Sequence, residues 1–387
     1  MNVADSELVK GILNNEGFLA AATPDSADAL FVNTCAIREH AEEKVHSLLG
    51  NFYRFKKNRP EIVIGVLGCM AQSMKHDLLE SKPYVDIVLG PDSYRRLPGI
   101  LKRHEKDQNS QVDTTLSRFE VYEDLFPNRK KGVNAWISIM RGCDKFCSFC
   151  IVPFTRGRER SRSLEGIIAE VEQAVFDGFV EITLLGQNVN SYNYKDIRFH
   201  QLLEEVAKTQ GLKRIRYTSP HPQDITYDLL ITMAIHDNIC NHVHLPLQAG
   251  SDRILKRMNR TYSRGQFIQL AKMIREVVPN CGISTDIIVG FPGETDGEFK
   301  KTLDVMEEIK FDSAFTFKYS PRRGTKAAEY EDQIIEKVKQ MRLEMIIAAQ
   351  KFHTLERNQH YVNRIESVLA EKESKRSVNQ LAGRTDS

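Results

Sequence analysis

The chain has 387 residues, 41% hydrophobic and 27% charged, and a formal net charge of +2 from 54 basic and 52 acidic residues. This composition excludes a largely disordered chain, a collagen and a small disulfide scaffold, and at about 150 residues per domain the length calls for two or three domains. No apolar run reaches the ~18 residues of a membrane span, residues 1–7 show no signal-peptide pattern, and the near-neutral charge confines any nucleic-acid contact to local patches. A cytoplasmic protein without membrane association is expected.

Residues 1–8 read as the start of a helix. Three short apolar runs follow, at 29–32, 62–67 and 86–89, with a helical pattern at 43–55 between the first two. Short continuous apolar strands alternating with helices predict a small parallel α/β domain. Residues 102–131 are polar, lack a clear period and contain Pro127, so they read as a linker or excursion.

A longer alternation begins at Val133. Its strand candidates are 136–140, 182–185, 214–217, 242–245, 284–289 and 314–319, with helical stretches such as 164–176, 265–276 and 295–309 among them. Six βα repeats predict a parallel sheet curled into a partial barrel, with its chemistry at the C-terminal strand ends. A charged helix at 334–358 is followed by one strand candidate at 367–371, which cannot bury a core alone and reads as the start of a small β unit. The expected domains are 1–112, 129–360 and 361–387.

Of the seven cysteines, Cys143, Cys147 and Cys150 form a CxxxCxxC run directly after the first strand of the larger domain. Clustered thiols in a chain without a secretory signal suit metal or redox work. Three protein ligands on a four-iron cluster leave one iron open to a cofactor; a zinc knot or three reduced thiols are the alternatives. Other strand-end loops offer cofactor contacts: Gly186, Gln187 and Asn188 after the second strand, Ser219 after the third, Gln248 after the fourth and Gly290 after the fifth. Turn chemistry alone would also explain glycine and proline there. Cys240 and Cys281 read as core residues.

The CxxxCxxC run, with Phe149 just before its last cysteine and six βα repeats behind it, resembles the radical S-adenosylmethionine enzymes. The resemblance implies a four-iron cluster on Cys143, Cys147 and Cys150, which are the catalytic cysteines. It also implies S-adenosylmethionine bound through the open iron, reductive cleavage to a 5′-deoxyadenosyl radical, and an electron donor.

Cys35 and Cys69 each follow an apolar strand, in Asn33-Thr34-Cys35-Ala36-Ile37-Arg38-Glu39 and Gly68-Cys69-Met70-Ala71-Gln72. Two cysteines at equivalent strand ends suggest a second metal site, although a lone buried cysteine is commonly inert. The arrangement resembles the methylthiotransferases over nearly the whole chain. That family has three cysteines in its N-terminal domain, the first in a Gly-Cys-Gln-Met-Asn stretch, and ends in a small β-barrel called TRAM. This sequence starts at the Met-Asn, so it is expected to be truncated at both ends or to have a misplaced start. Two 4Fe-4S clusters are implied, the second lacking its third cysteine in this chain.

Within that family, the stretches around Cys35, Gly186-Gln187-Asn188-Val189-Asn190-Ser191-Tyr192 and Pro153-Phe154-Thr155-Arg156-Gly157-Arg158-Glu159 resemble the branch that acts on isopentenylated adenosine in the anticodon stem-loop of tRNA. Arg141 departs from the pattern, since many relatives are acidic there. The implied reaction methylthiolates C2 of that base, with the second cluster as sulfur carrier and two S-adenosylmethionine molecules per product. Sister branches act on threonylcarbamoyl-adenosine or a ribosomal-protein aspartate. A non-catalytic, zinc-stabilised RNA-binding protein is the alternative of a different class.

Arg156, Arg158, Arg160 and Arg162 alternate beyond the cluster loop. On an extended segment they would share one face and meet RNA phosphates; pairing with nearby acids is the alternative. A monomer is expected.

Overall fold

The computed structural model describes residues 1–34, 39–375 and 377–387, and the chain divides into two compact units. The first comprises residues 1–130, 140–144 and 151–166; the second comprises residues 131–139, 145–150 and 167–387.

In the first unit, helix α1 (Asn2–Asn15) precedes a four-stranded parallel sheet with strands in sequence order. These are β1 (Ala29–Thr34), β2 (Val63–Gly68), β3 (Ile87–Leu89) and β4 (Gln111–Asp113). Helices α2 (Glu39–Asn58), α3 (Cys69–Met74) and α4 (Leu97–Asp107) connect them. Apolar runs on β2 and β3 are buried on both faces, as a parallel sheet between helices demands. The register pairs Thr34 with Gly68, so β1 and β2 end at the same level of the sheet.

The stretch expected to be a linker is part of this unit. It supplies the end of α4 and all of β4, and Tyr122 is buried in the core with its hydroxyl donating to the Pro91 carbonyl at 2.8 Å. A three-residue edge strand with polar ends gives no period to read, which is why the pattern missed it. A short helix, α5 (Val152–Arg156), also belongs here.

The second unit contains six parallel strands: β5 (Asn134–Ser138), β6 (Glu181–Leu185), β7 (Arg214–Tyr217), β8 (His242–His244), β9 (Gly282–Val289) and β10 (Ser313–Lys318). They form two three-stranded blocks, β7-β6-β5 and β8-β9-β10. A parallel bridge between Ile215 and Ile239 joins the blocks. This is the expected α/β partial barrel, and all six strand candidates are present within two residues of their ends. Helix α6 (Leu164–Phe176) precedes β6, and α7 (Phe199–Ala207), α8 (Tyr227–Ile235), α9 (Arg264–Val277) and α10 (Asp296–Ile309) follow in turn.

After α11 (Glu336–Gln359) the C-terminal region holds two strands rather than one: β11 (Leu369–Ser374) and β12 (Ser377–Arg384) pair antiparallel. Arg214 bonds the carbonyl of Arg384 at the end of β12, Arg216 bonds the Asp386 carbonyl beyond it, and the Arg384 side chain reaches Glu181 at 2.6 Å, so this end is anchored on the barrel. No helix of the described residues is long and apolar enough to cross a membrane.

Candidate functional site

The CxxxCxxC loop is divided between the units, with Cys143 in the first and Cys147 and Cys150 in the second. All three are half-buried, and the six described cysteines are not joined by disulfides. Gly142 has φ +82°, and a Cβ there would lie 2.0 Å from the Arg158 carbonyl oxygen. Only glycine permits that approach, which lets the Cys143 N–H donate to the Gly157 carbonyl at 3.2 Å.

Within the second unit the loop is held by segments that follow neighbouring strands. Asn259 donates to the Lys145 and Phe146 carbonyls at 3.2 and 2.9 Å, and the Ser148 hydroxyl donates to the Arg257 carbonyl at 2.8 Å. Lys145 pairs with Asp224 at 2.7 Å, and Asp224 also accepts from the Asn188 amide at 2.8 Å. The Cys147 thiol accepts from Arg260 at 3.4 Å. Burial opposes the Arg260 charge, but Tyr262 and Cys147 beside it hold the guanidinium above its ordinary value. Arg260 was not foreseen; only its place in the Arg-Met-Asn-Arg stretch could have suggested it.

The expected cofactor residues lie at the C-terminal strand ends of this unit. Gly186 and Asn188 are buried after β6, and Gln187 is half-buried. Ser219, exposed after β7, and Gln248, buried after β8, have φ of +61° and +65°. Left-handed conformations at non-glycine residues cost about 1–3 kcal/mol and gather at functional sites. The Gln248 Oε1 is buried without a hydrogen-bond partner among the described residues. A donor on a bound cofactor would satisfy it, since an unmade buried hydrogen bond is costly. Gly290 is buried after β9, and its N–H donates to Glu294 at 2.7 Å. Burial pushes Glu294 up to about 7 in spite of that bond and of Arg342. Phe149 meets Phe291 edge-on, with centroids 6.5 Å apart.

Two further residues order this face. The His221 N–H donates to Asn188 and Asn190 at 3.1 and 2.8 Å. Its ring accepts from the Gln223 N–H at 3.2 Å. Burial, with Arg260 and Lys145 nearby, pulls His221 down to about 2, so it is neutral at ordinary pH.

In the first unit, Cys69 opens α3 and is buried. Gly68 turns the chain at φ +93°, where a Cβ would meet the Asn33 Oδ1 at 2.4 Å. Cys35 lies outside the described residues. Arg156 donates through Nε to the Cys69 Sγ at 3.0 Å and pairs with Asp5 at 2.6 Å. Asp5 also pairs with Arg141 at 2.8 Å, and Arg141 stacks over the Tyr122 ring. Burial works against the Asp5 charge, but Arg156 and Arg141 outweigh it and hold this carboxyl below its ordinary range. Cys240 and Cys281 are buried, and burial pushes their thiols up to about 11 and 12.

The four arginines do not form one exposed face, which corrects the expectation drawn from their alternation. Arg156 ends α5 rather than lying on a strand. Arg160 is buried against Asp92 at 3.1 Å, and buried Arg162 stands 3.8 Å from Glu123. Only the Arg158 side chain is well exposed, at 70%, and it pairs with Asp144 at 2.6 Å. Spacing cannot reveal that acids on distant segments draw alternate arginines inward.

Among the described residues no group of three or more histidine, cysteine, aspartate and glutamate side chains is gathered as a metal centre. The chemistry of the residues nevertheless fits iron–sulfur groups. Three thiols stand within eight residues of chain, and Cys69 and Cys147 each face an arginine that would offset thiolate and sulfide charge.

Residues 137–306 match the radical SAM superfamily, and residues 1–90 match the uncharacterized protein family UPF0004. The chain is 44% identical over 391 residues to the tRNA-2-methylthio-N(6)-dimethylallyladenosine synthase of Carboxydothermus hydrogenoformans, covering all of this chain and 89% of that protein. The enzyme of the same name from Porphyromonas gingivalis is 46% identical over 395 residues, covering 100% and 84%. Among solved structures, the radical S-adenosylmethionine methyltransferase TsrM from Kitasatospora setae shares the fold, with a TM-score of 0.62 and 14% identity over 84% of this chain and 73% of that one.

Proposed function

The chain belongs to the tRNA-2-methylthio-N(6)-dimethylallyladenosine synthase family, and from that membership we infer that it transfers a methylthio group to C2 of isopentenylated adenosine beside the anticodon of tRNA. It is a radical S-adenosylmethionine transferase. The observation that carries the reading is identity of 44–46% running along the entire chain, over both a thiol-bearing barrel and a thiol-bearing N-terminal unit.

Bound on Cys143, Cys147 and Cys150, a four-iron cluster would supply the electron that cleaves S-adenosylmethionine and so the radical that abstracts hydrogen. The chain's own residues do the rest. Lys145, Asp224 and Asn188 fix the loop to the next strand end. Arg260 offsets thiolate charge at Cys147. Phe149 packs edge-on against Phe291, which steadies the end of the loop. In this reading the Gln248 Oε1 and the Ser219 hydroxyl accept from amino and hydroxyl groups of the cofactor, Asn188 braces this face through His221 and Asp224, and Gly186, Gln187 and Gly290 border the cofactor along the strand ends.

The finer reading assigns Cys69 and Cys35 to a second cluster that carries the sulfur. An unstacked anticodon loop lets a base be splayed into a pocket, and Arg158 is the arginine of its segment left to meet a phosphate. The β11–β12 hairpin is read as the start of a TRAM barrel. A cytoplasmic monomer served by an external electron donor completes the proposal.

The test is 5′-deoxyadenosine formation by anaerobically reconstituted protein with anticodon stem-loops that carry or lack the isopentenyl group. Faster formation with the isopentenylated stem-loop supports the substrate; equal rates oppose it.

A further inference from the structure

Cys69 does not sit in an ordinary apolar core. Around it the first unit buries charged groups that the thiol alone does not require. Asp5, at the first turn of α1, is 1% exposed and bridges Arg141 at 2.8 Å and Arg156 at 2.6 Å. Arg156, itself 2% exposed, points its Nε at the Cys69 Sγ from 3.0 Å. Its remaining nitrogen, Nη1, is buried and finds no hydrogen-bond partner among the described residues. The Tyr94 hydroxyl, also fully buried and close enough to share the electrostatics of Asp5, Arg156 and Cys69, has no hydrogen-bond partner either.

Burying a charge costs several kcal/mol unless it is paired, and an unmade bond on a guanidinium adds to that cost. Asp5 is shared by two guanidiniums, and the other carboxylate that acts on them, Asp92, is paired with Arg160, so this pocket keeps positive charge to spare. A thiol contributes little to balance it. Sulfides and thiolates of an anionic iron–sulfur group would accept the Nη1 and Tyr94 hydrogens and offset the charge.

We propose that Arg156 is a positioning residue for the sulfur-carrying group on Cys69, with Asp5 fixing the guanidinium and limiting its field. The proposal rests on the reading of Cys69 as a ligand of the second cluster. Arg156 lies six residues beyond Cys150, so the segment that follows the radical loop also tunes the sulfur-carrying site. A cation beside a cluster stabilises its reduced, more negative form and raises its potential; the carboxylate behind it acts in the opposite sense.

The experiment uses the full chain with Cys143, Cys147 and Cys150 replaced by alanine, so that only the second site can hold iron. It is reconstituted with iron and sulfide in the presence of a small thiol, which fills any coordination position left open. Iron content and a redox titration followed by electron paramagnetic resonance are then measured. In this background Arg156→Met should shift the midpoint potential to more negative values and Arg156→Lys should restore most of the shift. Asp5→Asn, which keeps the guanidinium, should move the potential the opposite way.

Shifts of opposite sign are not the result of simple loss of packing. If Arg156→Met does not fold, the sign of the shift in Asp5→Asn still decides. Iron retained with an unchanged potential in these variants would overturn the role of Arg156 while leaving Cys69 as a ligand. Iron that is absent, or unaffected by Cys69→Ala, would overturn the reading of Cys69 and the proposal with it.

Discussion

Arg260 donates to the Cys147 thiol at 3.4 Å, so a cation stands beside the radical-loop cysteine within the barrel unit. A hydrogen bond to a charged group is worth about 1.5–3 kcal/mol. Arg260→Met should therefore slow reductive cleavage of S-adenosylmethionine by about tenfold or more, with Arg260→Lys in between. Single-turnover formation of 5′-deoxyadenosine, normalised to bound iron, is the measurement. A rate equal to that of the parent protein would make the contact incidental.

Gly142 offers a backbone test of the same loop. A Cβ would meet the Arg158 carbonyl at 2.0 Å, and the φ of +82° disfavours any side chain. Gly142→Ala should displace Cys143, cost about 2 kcal/mol or more in stability, and reduce the iron retained after reconstitution. Full iron retention with an unchanged melting temperature would mean that the loop relaxes freely.

The arginines separate into two kinds. Removing Arg160 strands Asp92 without its buried partner, so Arg160→Ala should destabilise the first unit by about 3 kcal/mol, read by denaturant unfolding. Arg158→Ala should leave stability almost unchanged. It should weaken tRNA binding and flatten its salt dependence by about one unit of slope, if the side chain leaves Asp144 for a phosphate. An unchanged slope would assign Arg158 to the loop alone.

His221 sets a pH dependence. Its folded value of about 2 lies below the ordinary 6.5, so below about pH 6.5 the unfolded chain takes up a proton that the folded loop refuses. Stability should fall as pH falls through this window, by up to about 1.4 kcal/mol per pH unit for one group. His242, pulled down to about 4, acts in the same direction. His221→Gln should make the unfolding free energy less steep between pH 4 and 6.5. An identical slope would show that His221 is readily protonated in the folded protein.

The barrel was legible because its strands are short apolar or alternating runs separated by helical stretches, a local pattern that survives into the structure at all six strands. The cysteine loop was legible because its spacing is local too. What escaped was set by distant partners. Strand β4 is three polar-ended residues stabilised by pairing with β3. The second C-terminal strand, Ser377–Arg384, is polar and owes its place to the hairpin. The alternating arginines looked like one surface, but Asp5, Asp92 and Glu123 lie far away in sequence and draw three of them inward. Arg141 pairs with the same Asp5 from 136 positions away.

The most direct measurement is mass spectrometry of tRNA nucleosides after incubation of protein reconstituted in the presence of a small thiol with reductant, isopentenylated tRNA and S-adenosylmethionine labelled in its methyl group. Labelled 2-methylthio-isopentenyladenosine is expected from the parent, none when Cys143, Cys147 and Cys150 are replaced by alanine, and none with Cys69→Ala although that variant still forms 5′-deoxyadenosine. Formation of 5′-deoxyadenosine by the parent protein without any methylthiolated adenosine, or equal product from Cys69→Ala, would contradict the proposed function.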